Sequence, residues 1–396
     1  MLMWIVIVLT VATLLTLYLG LRLIEPSNMS RKHKVAAWLV VGGLLFGQRL
    51  TWFLHREGFE GYLFNAIDWV GFVFLGFVSI LVIFMLVRDI PFIFNAIKSG
   101  LYKMFVRRSK RPYFIEPDRE RRRFLLNASN AVILAATVPL TGYAIFEARS
   151  KPTVIYNDLP ILDLPEGLDG FTIAQISDTH IGPTIRGDWM QMVVDEVNKL
   201  GADMVVHTGD MVDGSVASLN GSVKPLGDLK APYGKWLCTG NHEYYSGVND
   251  WLKEARRLKI QPLVNEHALI DTGKGKILLA GVSDYRGSRL EPAHVSSPAD
   301  AMKGAPEHDV SIMLAHQPRS VFEASKAGVD IQLSGHTHGG QYFPYTFAIN
   351  MFQPYVRGLH LHDDTLIYVN SGTGYWGPPM RLGSPPEITL HTLRRK

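Results

Sequence analysis

The sequence predicts two structural classes in one chain: membrane-crossing helices over residues 1–150 and an alternating α/β domain over residues 151–396. Three observations predict this division. Long apolar runs are confined to the first part, and short β-rich runs ending in polar, glycine-bearing loops recur through the second. The charge also changes sign between them. Residues 1–150 hold 18 Lys+Arg against 9 Asp+Glu, whereas residues 151–396 hold 22 against 27. The positive excess belongs to the apolar part, while a nucleic-acid binder would concentrate it on the folded domain that docks. The single cysteine, Cys238, excludes an internal disulfide and a cysteine-rich metal site.

Residues 3–24 form the first apolar run, long enough to cross a bilayer core as a helix. Residues 35–54 and 69–87 repeat the pattern. A fourth run, 124–146, is less oily because of Asn127, Asn130 and Thr141. No clear small-residue cleavage site follows the first run and more spans come after it, which favours a retained helix over a cleaved signal peptide. Arg31, Lys32 and Lys34 follow the first run, and eleven Lys or Arg residues lie within residues 88–123. Both basic loops are expected to face the cytoplasm, which with four spans makes the chain a multi-pass protein of the cytoplasmic membrane with everything after Phe146 outside. Residues 91–106 are too short to span and are expected to lie in the interface as an amphipathic helix. The stretch RRRFLL, from Arg121, resembles a twin-arginine export signal, and that reading too sends the second part across the membrane. For Arg49, near the end of the second run, a functional buried charge and snorkelling to the interface both stay open.

In the second part, FTIAQIS, ADMVVHT, GKWLCT, KILLAGV, VSIMLA, VDIQLS and TLIYVN read as strands. Residues 189–200, with Met190, Val193, Val194 and Val197 on one side, read as an amphipathic helix. Such alternation predicts helices covering sheets, with a site in the loops at strand ends.

Those loops carry the chemistry. FTIAQIS runs into Asp178 and His180, MVVHT into Asp210, and KWLCT into Asn241, His242 and Glu243. Later strands end in His316 and in SGHTHGGQ, which holds His336 and His338. One HxH in a glycine turn is an ordinary solvated loop. Five strand ends that deliver two Asp, one Asn and five His point instead to a metal centre. Oxygen and imidazole donors without thiolate suit Mn²⁺, Fe²⁺ or Zn²⁺. The donors exceed what one ion needs. Two divalent ions roughly 3.5 to 4 Å apart, bridged by one carboxylate, would use them and would activate a water for attack on phosphorus.

The ordered set DxH, GD, GNHE, a lone His after a strand and GHTHGG resembles the calcineurin-like metallophosphoesterase superfamily, from about Phe171 onward. The resemblance implies an α/β fold, a four-layer α/β/β/α sandwich with a binuclear site between its sheets. Carried over by motif, Asp178, His180 and His338 would bind one ion, Asn241, His316 and His336 the other, and Asp210 would bridge them. His242 would not be a ligand; it would face the substrate and protonate the leaving oxygen. The tail YVNSGTGYWGPPMRLGSPPEITLHTL is similar to membrane-associated phosphodiesterase branches, and more loosely to hydrolases of UDP-diacylglucosamine in lipid A synthesis.

The expected function is a membrane-anchored phosphoesterase acting on a phosphodiester or pyrophosphate, in a lipid or envelope metabolite. Its expected partners are the bilayer and that substrate, not nucleic acid. A UDP-2,3-diacylglucosamine-type pyrophosphatase is one alternative, but its nucleotide-linked substrate is cytoplasmic, opposite to the side the loop charges indicate. A non-catalytic metal-binding membrane sensor is another, although every motif position is filled.

Further residues carry competing readings. Gly372, Gly374 and Gly377 spell GxGxxG, but Pro378 and Pro379 forbid the helix that a dinucleotide site needs. His360 and His362 project from one side of a strand, where a solvated hairpin face is favoured over a surface metal. His207 is expected to pack locally. Asp213 and Glu243 either orient the ligands or are plain loop carboxylates. Arg286, Arg319 and Arg381 sit in loops that reach the site and would clamp phosphate oxygens or form surface ion pairs.

Overall fold

The computed structural model describes residues 2–56, 61–105 and 119–396. Two compact units divide it, Met1–Tyr143 and Ala144–Lys396.

The first unit is helical: α1 (Leu2–Leu19), continued by a π turn over Gly20–Ile24, α2 (Arg31–Arg56), α3 (Tyr62–Phe105) and α4 (Arg119–Arg149), whose last turns belong to the second unit. Among the described residues, three helices are long and apolar enough to cross a membrane, Val6–Ile24, Leu63–Tyr102 and Arg119–Arg149. The first, third and fourth predicted runs fall on these. The second run lies on α2, and the side chains from residue 48 to its end, Arg49 included, lie outside the described residues. So do basic residues 107–111 of the third loop. The expected interfacial helix over residues 91–106 is not a separate element, because α3 continues through Pro91 to Phe105. Proline removes one backbone hydrogen bond, a loss that a long apolar helix absorbs while its flanking turns keep the rest of the ladder. RRRFLL likewise forms the opening turns of α4.

Asp89 is 1% exposed and needs partners in this apolar setting. Arg22 supplies an ion pair at 2.9 Å, and the Tyr18 hydroxyl donates at 2.9 Å. Asn130 then donates to the Arg22 carbonyl at 2.8 Å, so α4 is tied to the same knot.

The second unit first lays down β1 (Thr153–Ile161), β2 (Thr172–Ile176), β3 (Met204–His207), β4 (Lys235–Cys238) and β5 (Gln261–Leu263). It then builds β6 (Glu266–Asp271), β7 (Lys276–Gly281), β8 (Val310–Leu314), β9 (Ile331–Ser334), β10 (Gly358–His362) and β11 (Thr365–Val369), and returns as β12 (Glu387–Arg395). The result is two six-stranded sheets, ordered β1-β12-β2-β3-β4-β5 and β10-β11-β9-β8-β7-β6. Alternate residues of each strand face opposite ways. Ile173, Met204 and Val206 join Ile277, Leu279, Ile312 and Leu333 in a core shared by the sheets. Their neighbours Ala174, Ile176 and Val205 instead pack on Trp189, Met190, Val193 and Val197 of α5 (Gly187–Lys199). On the far side, Ala280 and Met313 pack on Ala301 and Ala324 of short helices. The order of layers is therefore α/β/β/α.

All seven predicted strands form. β2, β3 and β4 run parallel, as do β7, β8 and β9. Their carboxyl ends bring the site loops to one edge of the sandwich.

Candidate metal centre

Three of the five site loops leave their strands through a backbone turn that side chains rarely adopt. Asp178, His180, Asp210, His336 and His338 all have positive φ, between 44° and 72°. A left-handed turn costs a non-glycine residue of order 1 kcal/mol or more, and clustered strain of this kind is tolerated where it aims functional atoms. Gly209, at φ 88°, permits a close approach, because a Cβ there would sit 2.8 Å from His316 Nδ1 and 2.6 Å from the Gly240 nitrogen.

The loops assemble two neighbouring donor groups, Asp178 with His180 and His338, and Asp210 with His316 and His336. Asp210 also groups with His180 and His242 and so stands between the two. In the first group, His180 Nε2 lies 3.1 Å from His338 Nε2, and His338 Nε2 lies 3.4 Å from Asp178 Oδ1. In the second, His316 Nε2 lies 3.1 Å from His336 Nδ1 and 3.0 Å from Asp210 Oδ2. Donors each about 2.1 Å from one ion, at tetrahedral to octahedral angles, stand roughly 3.0 to 3.4 Å apart, so these separations fit divalent cations. Asn241 Oδ1 supplies an independent test: it is buried and has no hydrogen-bond partner. A buried orphan acceptor is rare and needs an explanation, and an ion beside it is one.

Neighbouring groups set which ring nitrogen faces inward. His316 Nδ1 donates to the Thr208 carbonyl at 2.8 Å, and His180 Nδ1 pairs with Asp213 Oδ2 at 3.1 Å, which leaves both Nε2 atoms for the centre. Asp213 also bonds His242 Nδ1 through its other oxygen. One carboxylate thus orients a ligand and the expected proton donor together. Glu243 accepts backbone N–H bonds from Asp210 (3.0 Å), Met211 (2.6 Å) and Gly240 (2.6 Å), locking two loops to each other. Both carboxylates left open by the sequence therefore orient the site. Asp213→Asn is expected to lower kcat about 10- to 100-fold. It should also shift the pH–rate profile while elemental analysis finds the ions retained; an unchanged profile and rate would remove Asp213 from this role.

Charges respond to the geometry. Burial works to lower the His316 imidazole, but Asp210, Asp178 and Asp284 outweigh it and raise it to about 10. At His242 burial is likewise outweighed, here by Asp213 and Asp210, which raise it to about 9. Burial and the Arg381 charge push His338 well below its usual value, and burial with His316 pushes His336 down to about 3. Neutral imidazole is the form that ligates metal, so His336 and His338 are ready for an ion, whereas His316 would release its proton to one.

The pocket has a direction. Asp178, His180, Asp210 and His316 are at most 2% exposed, whereas Asn241, His242 and His336 are partly open. On that open side stand two aromatic rings the sequence reading did not single out, Tyr245 at 5.2 Å and Trp376 at 6.0 Å from the His242 ring. They are 65% and 56% exposed. Sequence offered no sign of them, since aromatic residues are as common in cores as at pocket mouths.

The three candidate arginines separate. Arg381 is wholly buried and donates to the carbonyls of Ser371, Gly372, Gly374, His338 and Ser384, so neither a phosphate clamp nor a surface ion pair describes it. It binds the tail to the His338 loop. Arg319 lies over the Tyr285 ring at 5.5 Å and donates to the Phe352 carbonyl at 3.0 Å; Arg286 is exposed. His207 bonds Thr179 at 3.1 Å inside the fold, as expected of a packing residue. His362 bonds Tyr355, and His360 bonds the Arg357 carbonyl. No helix follows Gly377; Gly374 packs its backbone directly against that of Asp178 and Thr179.

The family model for calcineurin-like phosphoesterases matches residues 171–340. A transmembrane protein with metallophosphoesterase domain from Danio rerio is 37% identical over 270 residues, which cover 66% of this chain and 62% of that protein. An uncharacterized metallophosphoesterase from Helicobacter pylori is 35% identical over 272 residues, covering 67% of this chain and 71% of the relative. Another from Aquifex aeolicus is 37% identical over 236 residues, covering 59% and 88%. The chain spans less than two thirds of the Danio rerio protein and 64% of its Bos taurus counterpart.

Proposed function

The chain belongs to the calcineurin-like metallophosphoesterase family, and on that premise we propose that it is a membrane-anchored, metal-dependent hydrolase of phosphodiester or pyrophosphate bonds in a lipid or envelope metabolite. Residues 1–150 anchor it and residues 151–396 carry the chemistry. The observation that supports this reading most is the pair of donor groups sharing Asp210, with His242 on their open side.

Asp178, His180 and His338 would hold one ion, and Asn241, His316 and His336 the other, with Asp210 between. Two bound Mn²⁺, Fe²⁺ or Zn²⁺ ions supply Lewis acidity toward phosphoryl oxygens and an activated water near neutral pH. The rest is work for side chains. His242, held by Asp213 through Nδ1, presents Nε2 to the substrate side and carries the proton that the departing oxygen takes up. The His242 backbone N–H donates to Asp210 Oδ1 at 2.8 Å, which fixes the distance between proton donor and ligand loop. Burial of the deep ligands excludes bulk water from one side of the centre.

With α2 counted as a fourth crossing helix, loop charges support an extracytoplasmic catalytic unit, because the cations cluster in the loops after the first and third apolar runs. A nucleotide-linked cytoplasmic substrate of the lipid A type fits that orientation poorly. A reporter fused at the C-terminus separates the two, since a cytoplasmic readout would revive the lipid A reading.

The direct test is turnover of bis(p-nitrophenyl) phosphate by the full-length protein with Mn²⁺. Hydrolysis that stops on chelation is expected. No turnover by protein that retains its ions would favour a non-catalytic sensor.

A further inference from the structure

One surface beside the pocket takes no part in holding ions or moving the proton. Between His338 and Arg357 the chain carries no charged residue. This strip leaves the metal loop directly and stays tied to it, since the Thr337 hydroxyl donates to the Val356 carbonyl at 2.6 Å. Three of its large apolar side chains nevertheless point outward: Phe347 is 71% exposed, Met351 82% and Phe352 68%. Soluble surfaces rarely leave such side chains together in the open. Trp376, which flanks His242, is joined to the strip through Gln341, whose amide bonds the Trp376 backbone in both directions at 2.9 Å.

The strip is also continuous with a helix that is long and apolar enough to cross a membrane. The Arg381 N–H donates to the Ala144 carbonyl of α4 at 2.9 Å, and the next residue, Leu382, donates to the Gln341 carbonyl at 3.0 Å. From Gln341 the chain enters the strip, where Tyr342 and Tyr345 rings meet at 5.3 Å. Two cations, Arg319 on the Phe352 carbonyl and Arg357 at the strip's end, stand beside it with no carboxylate in the strip. Exposed aromatic and apolar residues flanked by arginine match a bilayer interface, where rings sit at headgroup depth and cations meet lipid phosphates.

We propose that residues 343–352, together with Trp376, seat the catalytic unit on the lipid bilayer surface, so that the pocket beside His242 opens at headgroup level and takes lipid phosphoesters. The substrate half rests on the phosphoesterase reading above; the docking half does not. The juxtaposition that carries both is an uncharged strip with outward-facing apolar side chains that runs from the His338 loop and is linked to α4 through Arg381 and Leu382, one bonded to Ala144 and the other to Gln341.

Full-length protein is placed in vesicles of phosphatidylcholine and phosphatidylglycerol, with or without brominated acyl chains, and bears a bimane label at Phe347→Cys or Met351→Cys. The native Cys238 is buried and does not compete for label. Leu162→Cys is the control: it is 72% exposed and follows the nine-residue β1, roughly 30 Å along the strand from the end of α4. Brominated lipid is expected to quench both strip labels at least about twofold and to spare the control. Equal quenching at all three sites, none at the strip, or emission from label pairs on two copies would overturn docking. Phe347→Asp with Met351→Asp is then expected to slow hydrolysis of a phosphodiester lipid in the vesicle about tenfold, with bis(p-nitrophenyl) phosphate turnover unchanged. Equal effects on both substrates, or none, would overturn the substrate half. A wild-type protein that hydrolyses neither substrate would overturn the phosphoesterase reading and leave the docking result to the labels.

Discussion

Asp210→Ala is expected to empty the centre of both ions and to reduce turnover on the order of a thousandfold or more. Asp210 is the carboxylate that both donor groups approach, with Oδ2 3.0 Å from His316 Nε2 and 3.9 Å from His180 Nε2. Without it the His316 and His336 group has no carboxylate left, and Asp178 alone remains to offset two neighbouring cations. Elemental analysis of the folded variant and turnover of a chromogenic phosphodiester check this together. Ions retained at wild-type level with near-normal turnover would remove Asp210 from the centre.

His242→Ala is expected to behave differently, with turnover reduced about 10²- to 10⁴-fold and both ions retained. The side chain stands at the open side, bonded to Asp213 through Nδ1, and its Nε2 is 4.0 Å from Asp210 Oδ2. It is close enough to feel the centre's charge and is placed to serve the substrate rather than an ion. The contrast between the variants separates binding of ions from handling of the proton. A variant that loses ions as well would make His242 a ligand, and one that loses nothing would leave the leaving oxygen to find its proton in solvent.

Much of the fold was legible because buried parallel strands announce themselves. FTIAQIS, VSIMLA and VDIQLS are apolar runs closed by polar loops, and each forms a strand whose side chains are almost all buried. The candidate ligands were legible for a related reason, since each stands just past such a run, where the chain must turn. The remaining strands lack that signature. β1 includes Asn157, Asp158 and Pro160 and leaves much of its length exposed at a sheet edge. β5 has only three residues, and β12 lies in the tail and pairs antiparallel to β2 from a distant part of the chain. Local pattern does not reveal such long-range partners. The expected interfacial helix over residues 91–106 fails for the opposite reason, because a segment too short to span by itself is the continuation of α3. For Arg381 the sequence leaves a phosphate clamp and a surface ion pair open; only the fold reveals a cage of carbonyls around it. The roles of Trp376 and the strip after His338 depend on exposure, which composition does not report.

Counting ions in the purified full-length chain, with turnover measured on the same sample, is the most direct test of a binuclear centre built by Asp178, His180, Asp210, Asn241, His316, His336 and His338. Two divalent ions per chain are expected, lost with phosphodiester hydrolysis on chelation and regained with it when Mn²⁺ is added back. Folded protein that hydrolyses the substrate with no ion bound, or that binds two ions and never turns over, would contradict it.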